Sequence, residues 1–147
     1  MLPMALRPGC TEACVVLRCR FGKFIILRGE MPVVARRAIE ERDFLASGCG
    51  RPNNSVDYVM LFNILHVENP VALLCEACRV LRPNGLAGII HWNHDLSTPR
   101  GPSLDIRQTP EQCRNWALTA GFHFIRNEPF SCCPWHYGLV VHKPAQF

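Results

Sequence analysis

The sequence predicts an α/β domain with a mostly parallel sheet that closes in an antiparallel hairpin at its C-terminal end. From about residue 57 onward, strand-like and helix-like segments alternate, which is the pattern of βαβ units. The length of 147 residues suits a single domain over residues 1–147. Hydrophobic residues make up 48% of the chain and charged residues 19%, a composition typical of globular proteins rather than disordered ones.

The first clear strand and helix follow each other between residues 56 and 85. Residues 56–61 are almost all apolar, which predicts a central strand buried on both faces. Asn69 can cap a helix, and Pro70 is tolerated in the first helical turn. Apolar side chains then repeat at helical spacing, at Leu73, Leu74, Ala77, Val80 and Leu81. Turn residues 82–85 are expected to end this helix before a second buried strand over residues 86–92.

A long loop and a second helix come next. Residues 93–108 contain Pro99, Gly101 and Pro102, so they are expected to form a loop, and long ordered loops are usually functional. Thr109 can cap a helix that Gly121 ends. Its apolar face would consist of Cys113, Trp116, Ala117 and Ala120.

The C-terminal end predicts a hairpin. Residues 122–127 and residues 138–142 have the character of strands. The segment between them, residues 129–134, begins and ends with proline, so we expect it to be the turn. The two strands should therefore pair antiparallel and close the sheet.

The first third of the chain has weaker patterns and carries the excess positive charge. Strands are expected over residues 13–19, 24–27 and 44–46, and a helix over residues 33–41. Residues 1–51 hold nine Arg or Lys against five acids, whereas residues 52–147 hold seven of each. We therefore treat residues 1–43 as an atypical or truncated part and residues 44–147 as the core of the domain.

Composition also argues against several classes of protein. No apolar run approaches the ~18 residues of a membrane span, and the first 24 residues lack the apolar stretch of a secretory signal, so a cytoplasmic protein is expected. Nine cysteines is an odd number for a disulfide framework, which favours reduced thiols. The basic region lacks interleaved aromatic residues, so nucleic acid is not favoured as a partner.

Ligands of open α/β sheets bind at the carboxyl ends of the strands. In this sequence three segments follow predicted strands: residues 47–50, residues 62–66 and residues 91–95. We expect the functional site among them.

From Phe44 to its end, the chain resembles the class I S-adenosylmethionine-dependent methyltransferases. The resemblance is carried by residues that match the family's fourth strand, the segment after it, its helix-to-turn signature and its late helix, namely residues 55–59, 63–66, 79–85, 109–111 and 120–122. It covers about two thirds of the chain. It implies a Rossmann-like methyltransferase sheet, S-adenosylmethionine as cofactor, and methyl transfer by in-line displacement to a small-molecule acceptor.

The N-terminal part departs from the family's pattern. No glycine-rich GxGxG motif occurs, and in the nearest stretch, residues 16–22, Arg18 and Arg20 stand in place of glycines, leaving Gly22. Too few residues precede Phe44 for two full strand-helix units, so the N-terminal part of the sheet is expected to be incomplete. A sheet edge exposed in this way would favour a homo-oligomer. The alternative function is therefore a catalytically inactive fragment or interaction module that no longer binds the cofactor.

The resemblance also implies which residues form the site. The cofactor would contact Gly22, Ser47, Gly48, Cys49, Phe62, Asn63, Ile64 and Leu65. The acceptor would face His66, His91, Trp92, Asn93, His94, Asp95 and Tyr137. His66 is a candidate base, or alternatively a strand-end histidine bonded to a loop carbonyl.

Other candidate ligands are weaker. Cys75 and Cys78 have the spacing of half a zinc site but lie in a predicted helix, so core thiols are preferred and no metal is expected. Arg100 and Arg107 could hold an anionic acceptor, or could be solvated loop charges.

Overall fold

A computed structural model describes residues 14–19, 22–27, 37–41, 44–131 and 133–145. Its strands form one sheet in the order β3-β1-β2-β4-β5-β7-β6. The strands are β1 Cys14–Cys19, β2 Gly22–Leu27, β3 Arg37–Glu41, β4 Val56–Phe62, β5 Leu81–Trp92, β6 His123–Pro129 and β7 His136–His142. The helices are α1 Phe44–Ser47, α2 Pro70–Val80 and α3 Pro110–Thr119, with a 3-10 turn at Leu104–Ile106.

Five of these seven strands run in the same direction, and β2 and β7 run against them. The α/β fold is therefore confirmed, and so is the closing hairpin of β6 and β7, but the sheet is mixed rather than mostly parallel: among the described strands only the β1–β3 and β4–β5 pairs are parallel, and the other four pairs are antiparallel. The reversal of β2 was not expected. Because β2 lies between β1 and β4 and pairs antiparallel with both, β1 and β2 form a hairpin rather than a strand-helix unit.

The unit β4–α2–β5 forms as predicted, with one change at its turn. Asn69 caps α2 by accepting a hydrogen bond from the Ala72 amide at 3.0 Å, and β4 pairs parallel with β5. However, residues 82–85 do not form a separate turn. Leu81 already pairs with Val56, and the register shift that follows is the irregularity by which β5 absorbs these residues.

Two predictions in the N-terminal third were wrong. Residues 37–41, expected to be part of a helix, form β3 beside β1, because pairing with a neighbouring strand outweighs a weak local periodicity. Residues 33–36 lie outside the described residues. The strand expected at residues 44–46 is the short helix α1, which ends where Gly48 adopts the left-handed conformation at φ 62°.

The last helix has the predicted boundaries. Thr109 and Gln112 form a reciprocal capping box at the start of α3. The chain turns after the helix at Gly121, whose φ of 91° suits glycine.

One hydrophobic core lies between the helices and the sheet. Alternate side chains of the central strands face α2 and α3, so that Val59, Leu61, Ala87, Ile89, Leu139 and Val141 pack against Leu73, Leu74, Ala77, Cys113 and Ala117. Within the part of the chain that the structure describes, no helix has both the length and the apolar character needed to cross a bilayer.

Candidate functional site

A cavity of about 290 Å³ lies at the carboxyl ends of β4 and β5. Its walls come from the segment after β4, the end of β5 and the returning part of the long loop, and include Asn63, His66, His91, Trp92, Ile106 and Arg107. This is the edge at which open α/β sheets bind ligands. The cavity therefore brings together residues from two of the three segments expected to form the site.

His91 is buried at the end of β5, and its ring supports the segment after β4. Its Nε2 accepts a hydrogen bond from the Leu65 amide at 3.1 Å, which requires the neutral imidazole. Burial, reinforced by the nearby His66 and His136, lowers the pKa of His91 to about 3. His91 is thus a neutral residue that fixes the backbone of the cavity wall.

His66 lies beside His91, with the two rings edge to face and their centroids 6.4 Å apart. Partial burial lowers the pKa of His66, so the neutral imidazole dominates at neutral pH. A neutral imidazole at a cavity wall can accept a proton or a hydrogen bond.

Asn63 makes the sharp bend that leads out of β4. Its backbone is left-handed at φ 50°, a conformation that asparagine tolerates better than most residues. Its amide donates to the Ile90 carbonyl at 2.8 Å. Its side-chain Oδ1, by contrast, is buried without a hydrogen-bond partner, as is Nδ1 of His136 at the start of β7. Among the described residues these are the only buried side-chain nitrogen or oxygen atoms left unpaired.

Arg107 holds the long loop together. Its guanidinium donates to the carbonyls of Pro102, Asn93 and Leu96 and to Oγ1 of Thr98, at 2.7–2.9 Å. It also lies over the Trp92 ring at 5.6 Å from the centroid. Most of its donors are therefore used inside the loop, whereas Arg100 is exposed. Arg107 shapes the cavity wall.

The residues expected to face the acceptor occupy three kinds of environment. His66, His91 and Trp92 line the cavity. Asn93 and Tyr137 brace its surroundings: the Asn93 side chain donates to the Pro134 carbonyl at 2.7 Å, and the Tyr137 hydroxyl donates to the Gln108 carbonyl at 2.8 Å. Burial raises the pKa of Tyr137, which keeps the hydroxyl protonated. The side chains of His94 and Asp95 are exposed in the loop.

The segment Ser47, Gly48 and Cys49 lies against α2. The Cys49 amide donates to Glu76 Oε1 at 2.7 Å. A Cβ on Gly48 would come within 2.7 Å of the same oxygen, so glycine is needed there for close approach to the Glu76 carboxylate. The contacts at this segment thus tie it to the helix.

The other residues assigned to the cofactor divide between the edge and the core. Phe62 ends β4, whereas Ile64 and Leu65 are fully buried side chains of the core. Gly22 opens β2 and is adjacent in register to the end of β4, since Lys23 pairs with Phe62. At this edge the last residue of β1, Cys19, pairs antiparallel with Gly22 of β2.

No group of three or more potential metal ligands occurs among the described residues. Cys75 and Cys78 carry free thiols on α2, and burial raises the pKa of Cys78.

Sequence reasoning named Arg107 only as a possible anion-binding residue, and it missed how the return of the long loop forms part of the site. Ile106 and Arg107 reach the cavity only because the loop folds back over Trp92, and His136 stacks on that ring with centroids 4.1 Å apart. Trp92 and His136 are paired across β5 and β7. The predicted hairpin could have suggested this pairing, but no local pattern announces the role of Arg107.

Comparison with known proteins supports the family on which the resemblance rests. Residues 29–89 match the family model of the methyltransferase domain. Among solved structures, a protein from Sulfolobus solfataricus described as a type 11 methyltransferase is 25% identical at a TM-score of 0.58, over 74% of this chain and 60% of that one. None of the curated proteins matches the sequence significantly.

Two further structures show the same fold. A SAM-dependent methyltransferase from Aquifex aeolicus is 19% identical at a TM-score of 0.63, over 72% of this chain and 54% of that one. Human N-acetylserotonin methyltransferase, solved in complex with SAM, is 20% identical at a TM-score of 0.54, over 74% of this chain and 34% of that one.

The chain spans less than two thirds of the length of each of these three structures. The matched segment nevertheless includes β4, α2 and most of β5, the elements that carry the cavity. Over residues 29–89 the chain matches the methyltransferase-domain family, and its fold is that of class I S-adenosylmethionine-dependent methyltransferases.

Proposed function

We propose that this protein is an S-adenosylmethionine-dependent methyltransferase that acts on a small-molecule acceptor. The observation that carries the proposal is the cavity at the carboxyl ends of β4 and β5, which is of ligand size and occupies the ligand-binding edge of a methyltransferase fold. An acceptor of macromolecular size has no comparable support, because the cavity is small and its walls come from one loop and two strand ends.

Within this proposal, the segment after β4 would lie beside the cofactor and His66 beside the acceptor. When bound, S-adenosylmethionine supplies the methyl group on a positively charged sulfonium. The part of His66 would be to take the proton that the acceptor loses, which suits an imidazole kept neutral by a lowered pKa.

A second candidate function is a methyltransferase-like module that does not bind the cofactor. It is favoured by the β1–β2 hairpin, which stands where the family has a glycine-rich loop leading into a helix. The hydrogen bond from the Cys49 amide to Glu76 also favours it, because this amide belongs to a segment that the resemblance assigns to the cofactor.

Calorimetric titration of the full chain with S-adenosylhomocysteine separates the two candidates. Saturable binding in the micromolar range, about −8 kcal/mol, is expected if the protein is a methyltransferase. Absence of heat at millimolar ligand, with folding verified by circular dichroism, would leave the module without cofactor as the function.

We also propose that the protein acts in the cytoplasm, with neither a membrane nor a nucleic acid as its partner. A homo-oligomer would form through an exposed edge of the sheet. Light scattering tests this last point, and a single monomeric species at micromolar concentration would contradict it.

A further inference from the structure

Two histidines face each other at the end of the closing hairpin that lies away from the cavity. His123 is the first residue of β6 and His142 is the last residue of β7, and the two are directly opposite in the antiparallel register. His136, which stacks on Trp92 of the cavity wall, is at the other end of β7. A strand of this length separates its two ends by about 20 Å, so the pair is distinct from the cavity.

The spacing of the two rings suits a shared metal ion. Their planes are nearly perpendicular and their centroids are 5.2 Å apart. Two imidazoles bound to one tetrahedral zinc ion, each through a nitrogen at about 2.0–2.1 Å, would have their centroids about 5 Å apart. Because opposite residues of antiparallel strands have Cβ atoms about 5 Å apart, the backbone already brings both side chains to one point.

The His142 ring is oriented by its own backbone. Its Nδ1 lies 3.2 Å from the Lys143 carbonyl oxygen. A carbonyl only accepts, so Nδ1 carries the proton of this bond, and Nε2 of the neutral ring keeps its lone pair. Metal-binding histidines are commonly held in this way, with the second nitrogen donating to a backbone carbonyl. His142 therefore presents a nitrogen that can bind a metal.

Access separates this pair from the other close pair of histidines. The rings of His66 and His91 are 6.4 Å apart, but His91 is buried and its Nε2 already accepts from the Leu65 amide. His123, by contrast, is exposed on β6, the outermost strand at its side of the sheet. No third ligand stands beside the pair among the described residues, so water would complete the coordination.

We infer that His123 and His142 bind one divalent transition-metal ion, such as Zn²⁺, which links β6 to β7. Imidazole nitrogen is a ligand that Zn²⁺, Cu²⁺ and Ni²⁺ accept readily, whereas Mg²⁺ and Ca²⁺ prefer oxygen. The inference does not depend on the proposed methyltransferase activity, because the two sites share no residue.

Calorimetric titration of the full chain with ZnCl₂ in a reducing buffer tests the inference. His123→Gln and His142→Gln should each weaken binding at least tenfold, because with both rings present the second one binds the ion at a high effective concentration. His94→Gln changes an exposed loop histidine and Cys75→Ser an exposed thiol, and both control variants should keep the affinity of the wild type. Millimolar Mg²⁺ should not compete with Zn²⁺.

A measurement on the wild type alone guards against variants that fold poorly. In two-dimensional NMR spectra, Zn²⁺ should shift the amide signals of His123 and His142 and leave that of His94 in place. Several results would overturn the inference: no saturable binding of Zn²⁺ below millimolar concentration, unchanged affinity in either His123→Gln or His142→Gln, a loss of affinity in Cys75→Ser equal to that in the histidine variants, or shifts confined to other residues.

Discussion

The two ends of the central parallel strands differ in how their polar groups are paired. We call the end at which β4 and β5 begin the amino edge, and the end at which they finish the carboxyl edge. At the amino edge, Arg79 on α2 donates to both carboxylate oxygens of Glu76, to Asn53 Oδ1 and to the Arg51 carbonyl, all at 2.6–2.8 Å. The buried Lys143 ammonium donates there to Asn54 Oδ1 at 2.7 Å and to the Leu81 carbonyl at 2.9 Å. These bonds fasten the segment before β4 to α2 and to the end of β7.

At the carboxyl edge, some buried polar side-chain atoms of the described residues have no hydrogen-bond partner. Among the described residues, the two buried side-chain atoms without partners, Oδ1 of Asn63 and Nδ1 of His136, both belong to residues at this edge. The polar groups that are paired there, such as His91 and Arg107, support the walls of the cavity. One edge is therefore organised for stability, and the other retains buried polar atoms without partners among the described residues.

The largest effect is expected from breaking the amino edge at Arg79. Arg79→Ala removes four hydrogen bonds and leaves the Glu76 carboxylate without its cation, so the free energy of unfolding should fall by about 2.5 kcal/mol, allowing for partial solvent exposure of the guanidinium. Chemical denaturation at neutral pH measures this. Arg100→Ala, in the exposed part of the loop, serves as the control. A loss below about 0.5 kcal/mol in Arg79→Ala would mean that the network does not fasten this edge.

His91 gives the next largest effect, through pH. Its pKa falls from 6.5 to about 3 on folding, so between these values the unfolded state binds the additional proton and stability decreases as the pH is lowered. The decrease is about 1.4 kcal/mol per pH unit, or about 2 kcal/mol from pH 6.5 to pH 5. This range lies above the acid range of Glu76, whose pKa the hydrogen bond from Arg79 lowers from 4.5 to about 2.

Comparison of His91→Gln with the wild type checks this. Glutamine can still accept the Leu65 amide but does not titrate, so the slope of unfolding free energy against pH should decrease by about one proton. His94→Gln, a change in an exposed loop histidine, serves as the control. Equal slopes in wild type and His91→Gln would show that His91 is not buried as a neutral ring.

A third variant, at Asn54, tests whether the hydrogen bonds of the amino edge stabilise the fold. Its Oδ1 accepts from the buried Lys143 ammonium, and its backbone is left-handed at φ 53°, so Asn54→Gly removes a partner without straining the backbone. We expect a loss of about 1.5 kcal/mol, because the ammonium keeps only the Leu81 carbonyl as acceptor. Thermal denaturation followed by circular dichroism measures the loss, with Asn84→Gly as the glycine control.

The sequence was sufficient for the parts of the fold that local patterns encode. Asn69 and Thr109 cap the two long helices as predicted, and the apolar run of β4 occupies the centre of the sheet. The reversal of β2 and the pairing of β3 with β1 could not be predicted, because they depend on which strands meet.

The site was predictable to a similar extent. The carboxyl-end rule identified Asn63, His66 and His91, since it needs only the ends of two strands. It could not show that His91 binds the Leu65 amide or that Arg107 closes the loop, because both contacts join segments distant in sequence.

The smallest change in unfolding free energy is expected from Asn63→Gly. A small change tests whether Oδ1 of Asn63 is unpaired. Asn63→Gly is the same substitution as Asn54→Gly in the same left-handed conformation, at φ 50° against φ 53°, but Oδ1 of Asn63 has no partner to lose. The unfolding free energy should therefore fall by less than about 0.5 kcal/mol, since no hydrogen bond of Oδ1 is lost and relief of the left-handed strain offsets the greater freedom of glycine in the unfolded chain. Measured under the conditions used for Asn54→Gly, a loss of similar size at both positions would mean that Oδ1 of Asn63 is paired within the protein. A negligible loss at Asn63 beside a clear loss at Asn54 would show that this oxygen has no hydrogen-bond partner within the protein.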